Sequence, residues 1–272
     1  MPHGASVAGQ WATPVGASHP ARDPATTAPG IPVSSVAALG RSGSVAEMIA
    51  NARRFGVARL EDVLPDRQFK LASKDFELAM ECSPRYGSGG VRFHDMKPTT
   101  QFREIFEEII LKVTQDLFGI GFAPPKDRFI YVQRIELNGL DRGDSNTILH
   151  IDRFVPAIKL FYYPHAIQSV QMSPFSFVPE SHFINEAYLD AVREFYQTPN
   201  GTRPMAIRNL TQNQEIPALV EGNSLILAYT NGLHRRIPFA DDAPQGSFRE
   251  AACFMFYNLY TRSTLLRKAL LP

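Results

Sequence analysis

A helical first third followed by a succession of short strands predicts a mainly-β fold, a β-sandwich or jelly roll buttressed by helices. Two observations carry that expectation. From Arg128 onward the hydrophobic period drops from that of a helix to that of a strand. Turn residues then punctuate the chain at Asn138-Gly139, Pro174, Asn200-Gly201, Glu221-Gly222-Asn223 and Asn231-Gly232. With 272 residues and 44 % apolar content, the chain has ample material for one large β-rich domain.

Residues 1–43 are rich in Ala, Gly, Pro, Ser and Thr and have no apolar periodicity, so a low-complexity, disordered tail is expected there. A single domain over 44–272 should follow, with 44–127 as helical support and 128–259 as the β core. Ser44 can cap a first helix, and Val57–Leu60 reads as a strand. Pro65 and Asp66 open a second helix with Phe69, Ala72 and Phe76 on one face. The Gly-rich stretch Tyr86–Gly90 lacks a phosphate-loop pattern and reads as a flexible loop. A third helix runs from about Thr100 to Phe118, striped by Phe102, Ile105, Phe106, Ile109, Val113 and Leu117 and ended by Gly119.

Strand-like segments then fall at 129–137, 147–152, 157–163, 176–179, 205–210, 224–229, 234–239 and 247–259. Helices interrupt or close them at 186–196 and near 263–270. The formal net charge of +1 gives no electrostatic case for nucleic acid or an acidic membrane surface. Two cysteines without CxxC spacing, Cys82 and Cys253, read as reduced thiols. No apolar run reaches a membrane-spanning length, and the N-terminus lacks a secretory pattern, so the expected setting is cytoplasmic.

The chemistry-bearing stretch is Asn146–Phe154, which sets His150 and Asp152 two residues apart in an apolar run. On a strand, positions i and i+2 share a face. An imidazole beside a carboxylate is two-thirds of a facial metal site, which needs one more His and leaves open positions. The bland reading is a His bonded locally and an Asp capping a turn. His234 is the candidate third ligand, because it follows the apolar strand 224–229 and a turn at Asn231-Gly232, and a jelly roll brings distant strands together.

The other histidines fit less well. His3 and His19 lie in the tail, and His94 adjoins Asp95 and so faces the opposite side from it. His165 and His182 are substitutes should His234 be misplaced. Arg249, one strand beyond His234, offers a planar guanidinium to a carboxylate; its bland reading is a surface cation.

These residues, in this order, resemble the phytanoyl-CoA dioxygenase-like branch of the iron(II)- and 2-oxoglutarate-dependent oxygenases. His150-x-Asp152 resembles its first two ligands, Asn231-Gly-Leu-His234 its distal ligand, and Phe248-Arg-Glu-Ala251 its arginine strand. Phe177-Val-Pro-Glu-Ser-His182 is similar to its Pro-Gly-Ser-His segment, with Glu180 where glycine is usual. The likeness covers roughly residues 128–257.

The resemblance implies a double-stranded β-helix (jelly roll, cupin-like) with N-terminal and inserted helices. It implies Fe(II) on His150, Asp152 and His234, with 2-oxoglutarate held at its distal carboxylate by Arg249, and O2 as the oxidant. His182 would be structural. The reaction expected is hydroxylation of an unactivated carbon of a small metabolite, with release of succinate and CO2. Asp152 speaks against halogenation, because related halogenases lack that carboxylate.

Gln133 is placed to bond the co-substrate. Tyr131, Arg153, Phe154 and Arg236 are candidate substrate contacts, and inward-facing arginines would favour an anionic substrate. Each has a bland reading as a sheet residue or a surface cation. Two other readings stand: a metal-dependent isomerase or lyase that uses no 2-oxoglutarate, and a non-catalytic binding protein on the same fold. Oligomeric state is not legible.

Overall fold

The computed structural model describes residues 41–81, 85–96, 98–118, 130–142, 145–152, 154, 156–197 and 214–257, all within the compact unit Val33–Pro272. The expected tail therefore falls outside the described residues, except for 41–43, of which Arg41 and Ser42 are strand. The expected strand at 205–210 and the closing helix near 263–270 also fall outside them.

The chain opens with β1 (Arg41–Ser42), α1 (Val45–Phe55), β2 (Val57–Leu60) and α2 (Asp66–Glu81). Ser44 caps α1 by accepting the Glu47 N–H at 3.2 Å, while the Glu47 carboxylate reaches back to the Gly43 N–H. Next come β3 (Arg85–Ser88), β4 (Val91–Met96), α3 (Thr100–Phe118) and β5 (Ile130–Leu137).

The Gly-rich stretch is not a loose loop. Gly89 and Gly90, at φ 55° and 83°, make the two-residue turn of the β3–β4 hairpin. A Cβ on Gly90 would sit 1.9 Å from the Leu140 carbonyl oxygen, so only glycine fits. Two Gly in succession signal a primed hairpin turn as readily as flexibility.

The remaining elements are β6 (Ala157–Tyr163), β7 (Phe175–Phe177), α4 (Glu186–Gln197), β8 (Ile216–Pro217), β9 (Ser224–Tyr229), β10 (His234–Arg236) and β11 (Phe248–Tyr257). Eight strands form one sheet in the order β1-β2-β9-β6-β11-β5-β4-β3, and β10-β7-β8 form a second. The fold is thus mainly β, a jelly roll backed by helices.

Strand alternation explains the layering. On β6, Ile158, Leu160 and Tyr162 point outward into a core with Met48 of α1, Phe76 of α2, and Phe102 and Phe106 of α3. Phe161 and Tyr163 point inward and join Ala251, Cys253 and Ile226 against Phe175 and Phe177 of the small sheet. Burying each large side chain is worth roughly 1.5–3 kcal/mol, so the helices hold the large sheet by its outer face and leave its inner face to the site.

The segment 147–152 departs from the strand expectation. A 3-10 turn occupies Ser145–Thr147, and His150 alone pairs, in an antiparallel bridge with His234. Its ladder is short because the Asp152 N–H turns to the Thr230 carbonyl at 2.8 Å instead of continuing along β10. Among the described residues, no helix is long and apolar enough to cross a membrane.

Candidate metal centre

The His150–His234 bridge exchanges both backbone hydrogen bonds, each 2.9 Å, and so fixes the two imidazoles side by side. Their ring centroids are 4.6 Å apart. Asp152 completes the group: its carboxylate oxygens lie 3.8 Å from His150 Nε2 and 3.6 Å from His234 Nε2. One ligand atom from each residue falls within 4.8 Å of the others. His150 and Asp152 thus lie close together although His150 alone pairs.

Both rings are oriented by their other nitrogen. His150 Nδ1 donates to the Ile148 carbonyl at 2.7 Å, and His234 Nδ1 to the Gly232 carbonyl at 2.9 Å. A carbonyl only accepts, so Nδ1 carries the proton and Nε2 presents a lone pair, the arrangement a metal-ligating His needs. Burial, reinforced by His234 alongside, lowers the His150 pKa to about 4. Burial alone would raise that of Asp152, but His234 alongside and the charge of Lys159 hold it well below the usual carboxylate range. A neutral imidazole and a charged carboxylate are the forms that bind a cation.

The turn before His234 is itself locked. The Ser181 hydroxyl donates to the Val178 carbonyl at 2.6 Å and accepts the Leu233 N–H at 2.7 Å. Tyr188 donates its hydroxyl to the Asn231 carbonyl at 3.0 Å, and Asn231 Nδ2 donates to the His182 carbonyl at 2.8 Å. The segment 177–182 therefore braces the turn that carries His234. Glu180 adopts φ 65°, a left-handed conformation that favours glycine.

His150 and His234 share a cavity of about 90 Å³ with Gln133, Lys159, Phe161, Phe175, Arg236 and Arg249. Lys159 Nζ lies 2.7 Å from Asp152 Oδ2. Arg249 donates Nη1 to the Ser173 carbonyl at 3.2 Å, while its buried Nε has no hydrogen-bond partner among the described residues. His234 Nε2 is likewise buried without one. The His234 lone pair and the Arg249 guanidinium N–H, both buried at one cavity without a partner among the described residues, fit a cation beside a carboxylate. Two imidazoles and one carboxylate are the donor set of a ferrous facial triad.

Solved structures share this architecture. The epimerase SnoN, in complex with Fe3+, alpha ketoglutarate and nogalamycin RO, is 15% identical, with 79% of this chain and 83% of that one covered at a TM-score of 0.53. A second SnoN structure, described as a non-heme alpha ketoglutarate dependent epimerase from nogalamycin biosynthesis, gives 16% identity, the same coverage and 0.51. AviO1 from Streptomyces viridochromogenes Tue57 is 13% identical over 80% of this chain and 96% of that one, at 0.52. The fold is common to all of them. No protein-family model and no curated protein matches the sequence.

The other residues singled out from sequence divide. Gln133 reaches the cavity but donates Nε2 to Asp95 at 2.7 Å. Arg236 shares the face of His234, as its spacing implied, yet Asp141 already matches its charge through contacts of 2.6 and 3.2 Å. Phe154, expected at the mouth, instead meets Tyr188 edge-on and packs in the apolar cluster with Val192 of α4. Tyr131 lies on β5 opposite Cys253, but only its backbone is described, and Arg153 falls outside the described residues. His182 bonds the Arg53 carbonyl through Nε2, and His165 pairs with Glu250, so neither joins the ligand group.

Three residues escaped the sequence reading: Lys159, Asp141 and Ser173. Lys159 had a signal, as a lone cation within the apolar run Ala157–Tyr163. Asp141 and Ser173 had none, because loop positions reveal nothing of a partner across the fold.

Proposed function

We propose that this chain is an iron(II)- and 2-oxoglutarate-dependent dioxygenase that hydroxylates a small metabolite, nearest in motif order to the phytanoyl-CoA dioxygenase-like branch. The observation that carries this is the gathering of His150, Asp152 and His234 within 4.8 Å, beside a cavity-lining arginine with an unmatched N–H. When bound, ferrous iron with 2-oxoglutarate and dioxygen supplies the oxidising power, releasing succinate and CO2 and placing one oxygen atom on a substrate carbon.

In this reading, the chain's own residues bind, orient and exclude water. His150 and His234 hold the metal through Nε2, fixed in that tautomer by the Ile148 and Gly232 carbonyls. Asp152 supplies the negative charge. Arg249 pairs with the distal carboxylate of the co-substrate, and Ser173 holds it in that pose. Phe161 and Phe175, ring centroids 4.8 Å apart, give the cavity apolar walls that strengthen the charge contacts. An isomerase or lyase without 2-oxoglutarate would give Arg249 no task.

Hydroxylation is favoured by Asp152 occupying its ligand position, and a cytoplasmic setting fits the buried free thiol of Cys253. SnoN, on the same fold, is an epimerase, so substrate pose would select among the outcomes open once hydrogen is removed. An anionic substrate draws less support than the arginine count suggested, since Asp141 already matches Arg236.

Anaerobic addition of Fe(II) and then 2-oxoglutarate tests the reading. Wild type should develop a visible charge-transfer band, and Asp152→Ala and His234→Ala should lose it. An unchanged band in both variants would dismiss the ligand assignment.

A further inference from the structure

Lys159 is a cation on the inner face of a strand whose neighbours Ile158 and Leu160 are buried in the outer core. Its side chain is 12% exposed, and its ammonium lies 2.7 Å from Asp152 Oδ2. Withdrawing an ammonium from water costs several kcal/mol unless it is closely paired, so this placement needs a compensating partner. Asp152 is that partner, and it is also the carboxylate of the ligand group.

Resting on the function proposed above, we infer that Lys159 is a positioning residue that holds one oxygen of Asp152 and so confines it to single-oxygen metal ligation. An octahedral ferrous ion offers six positions. With such an ion bound, His150, His234 and one aspartate oxygen would take three, a chelating keto acid would take two, and one would remain for dioxygen. A carboxylate gripping the ion with both oxygens would fill that last position or displace one arm of the co-substrate. Lys159, 2.7 Å from Oδ2, opposes that.

Charge acts in the same direction. Among the cavity cations, Asp141 matches Arg236, and Glu215 takes Arg235 through two contacts of 2.7 and 2.8 Å. Lys159 offsets the one carboxylate of the ligand group. The charges of Arg249 and of the ion itself are then left for the incoming dianion.

The two roles of Lys159 have opposite signs for the two ligands, and that separates them from mere structural support. Removing the ammonium should leave the divalent ion bound as well or better, because a repelling charge is gone. The 2-oxoglutarate dianion should bind worse. The test is anaerobic titration of metal-free protein with Co(II), followed visibly, and then with 2-oxoglutarate, for wild type, K159M, K159Q and K159R. Folding of each is checked by thermal melt, and K159Q stands in should K159M not fold.

The expected result is Co(II) affinity within threefold of wild type or tighter, an altered Co(II) absorption band, and a 2-oxoglutarate Kd at least tenfold higher in K159M and K159Q. K159R should restore 2-oxoglutarate binding to within threefold. A folded K159M with the wild-type band and wild-type 2-oxoglutarate affinity overturns the inference. Joint loss of both ligands, or a K159R as weak as K159M, overturns it too. Failure of wild type to respond to 2-oxoglutarate would instead sink the proposed function.

Discussion

Asp141→Ala should cost this protein a large part of its stability, although the residue touches no proposed ligand. Its carboxylate side chain is fully buried and accepts from Arg236 Nη1 at 2.6 Å, Arg236 Nη2 at 3.2 Å and the Phe239 N–H at 3.0 Å. Truncation strands the Arg236 guanidinium, whose side chain is 4% exposed, with the Ser173 hydroxyl still bonded to it. Breaking a buried pair from one side costs about 3–5 kcal/mol, against a total of about 5–15 kcal/mol for a domain. The double variant Asp141→Leu/Arg236→Met removes both charges and leaves the Phe239 N–H unmatched, at about 1–3 kcal/mol. The double variant should therefore be more stable than the single one. Urea unfolding would read this as a lower midpoint at unchanged m value for Asp141→Ala, with partial recovery in the double variant. Because Ser173 bonds both Arg236 and Arg249, the single variant should also weaken 2-oxoglutarate binding. A loss below about 1 kcal/mol, or a double variant no better than the single, would refute the claim that this pair is a buried, mutually dependent unit.

Gly232→Ala should weaken metal binding at least tenfold, because its Cβ would fall 2.6 Å from Phe177 Cζ and 2.9 Å from Ser181 Oγ and displace the carbonyl that orients His234. Calorimetric titration with Co(II) measures this, and wild-type affinity would show that the turn does not position the ring. The metal-free protein should also lose stability as pH falls. His150 titrates at about 4 when folded against 6.5 when unfolded, so the unfolded chain takes the proton first. The contribution is fully present above pH 6.5 and is lost as pH falls through about 4, amounting to roughly 3 kcal/mol. Urea midpoints at about pH 7 and about pH 4.5 should differ accordingly, and less so in His150→Gln. Equal midpoints in wild type would refute the assignment.

Local sequence carried the elements whose signals are local. The stripe from Phe102 to Val113 could bury itself only as a helix, and Ser44 and Gly56 bound α1 by capping chemistry that needs no distant partner. His150-x-Asp152 placed an imidazole and a carboxylate two residues apart, within reach of one ion. The hairpin at Gly89-Gly90 was misread because glycine permits both mobility and a left-handed turn. The backbone contact with Leu140 that selects between them lies about fifty residues away in sequence.

Pairing across sequence was the province of the tertiary structure. It brought His234 against His150 through one bridge, gave Arg236 to Asp141, kept Arg249 Nε unmatched, and turned Phe154 toward α4. It also disclosed that the one lysine in an apolar strand points at the ligand carboxylate. The physical reason is that periodicity fixes which face of an element a side chain occupies. The partner opposite that face depends on strand order and register, and these emerge only when the sheets close on each other.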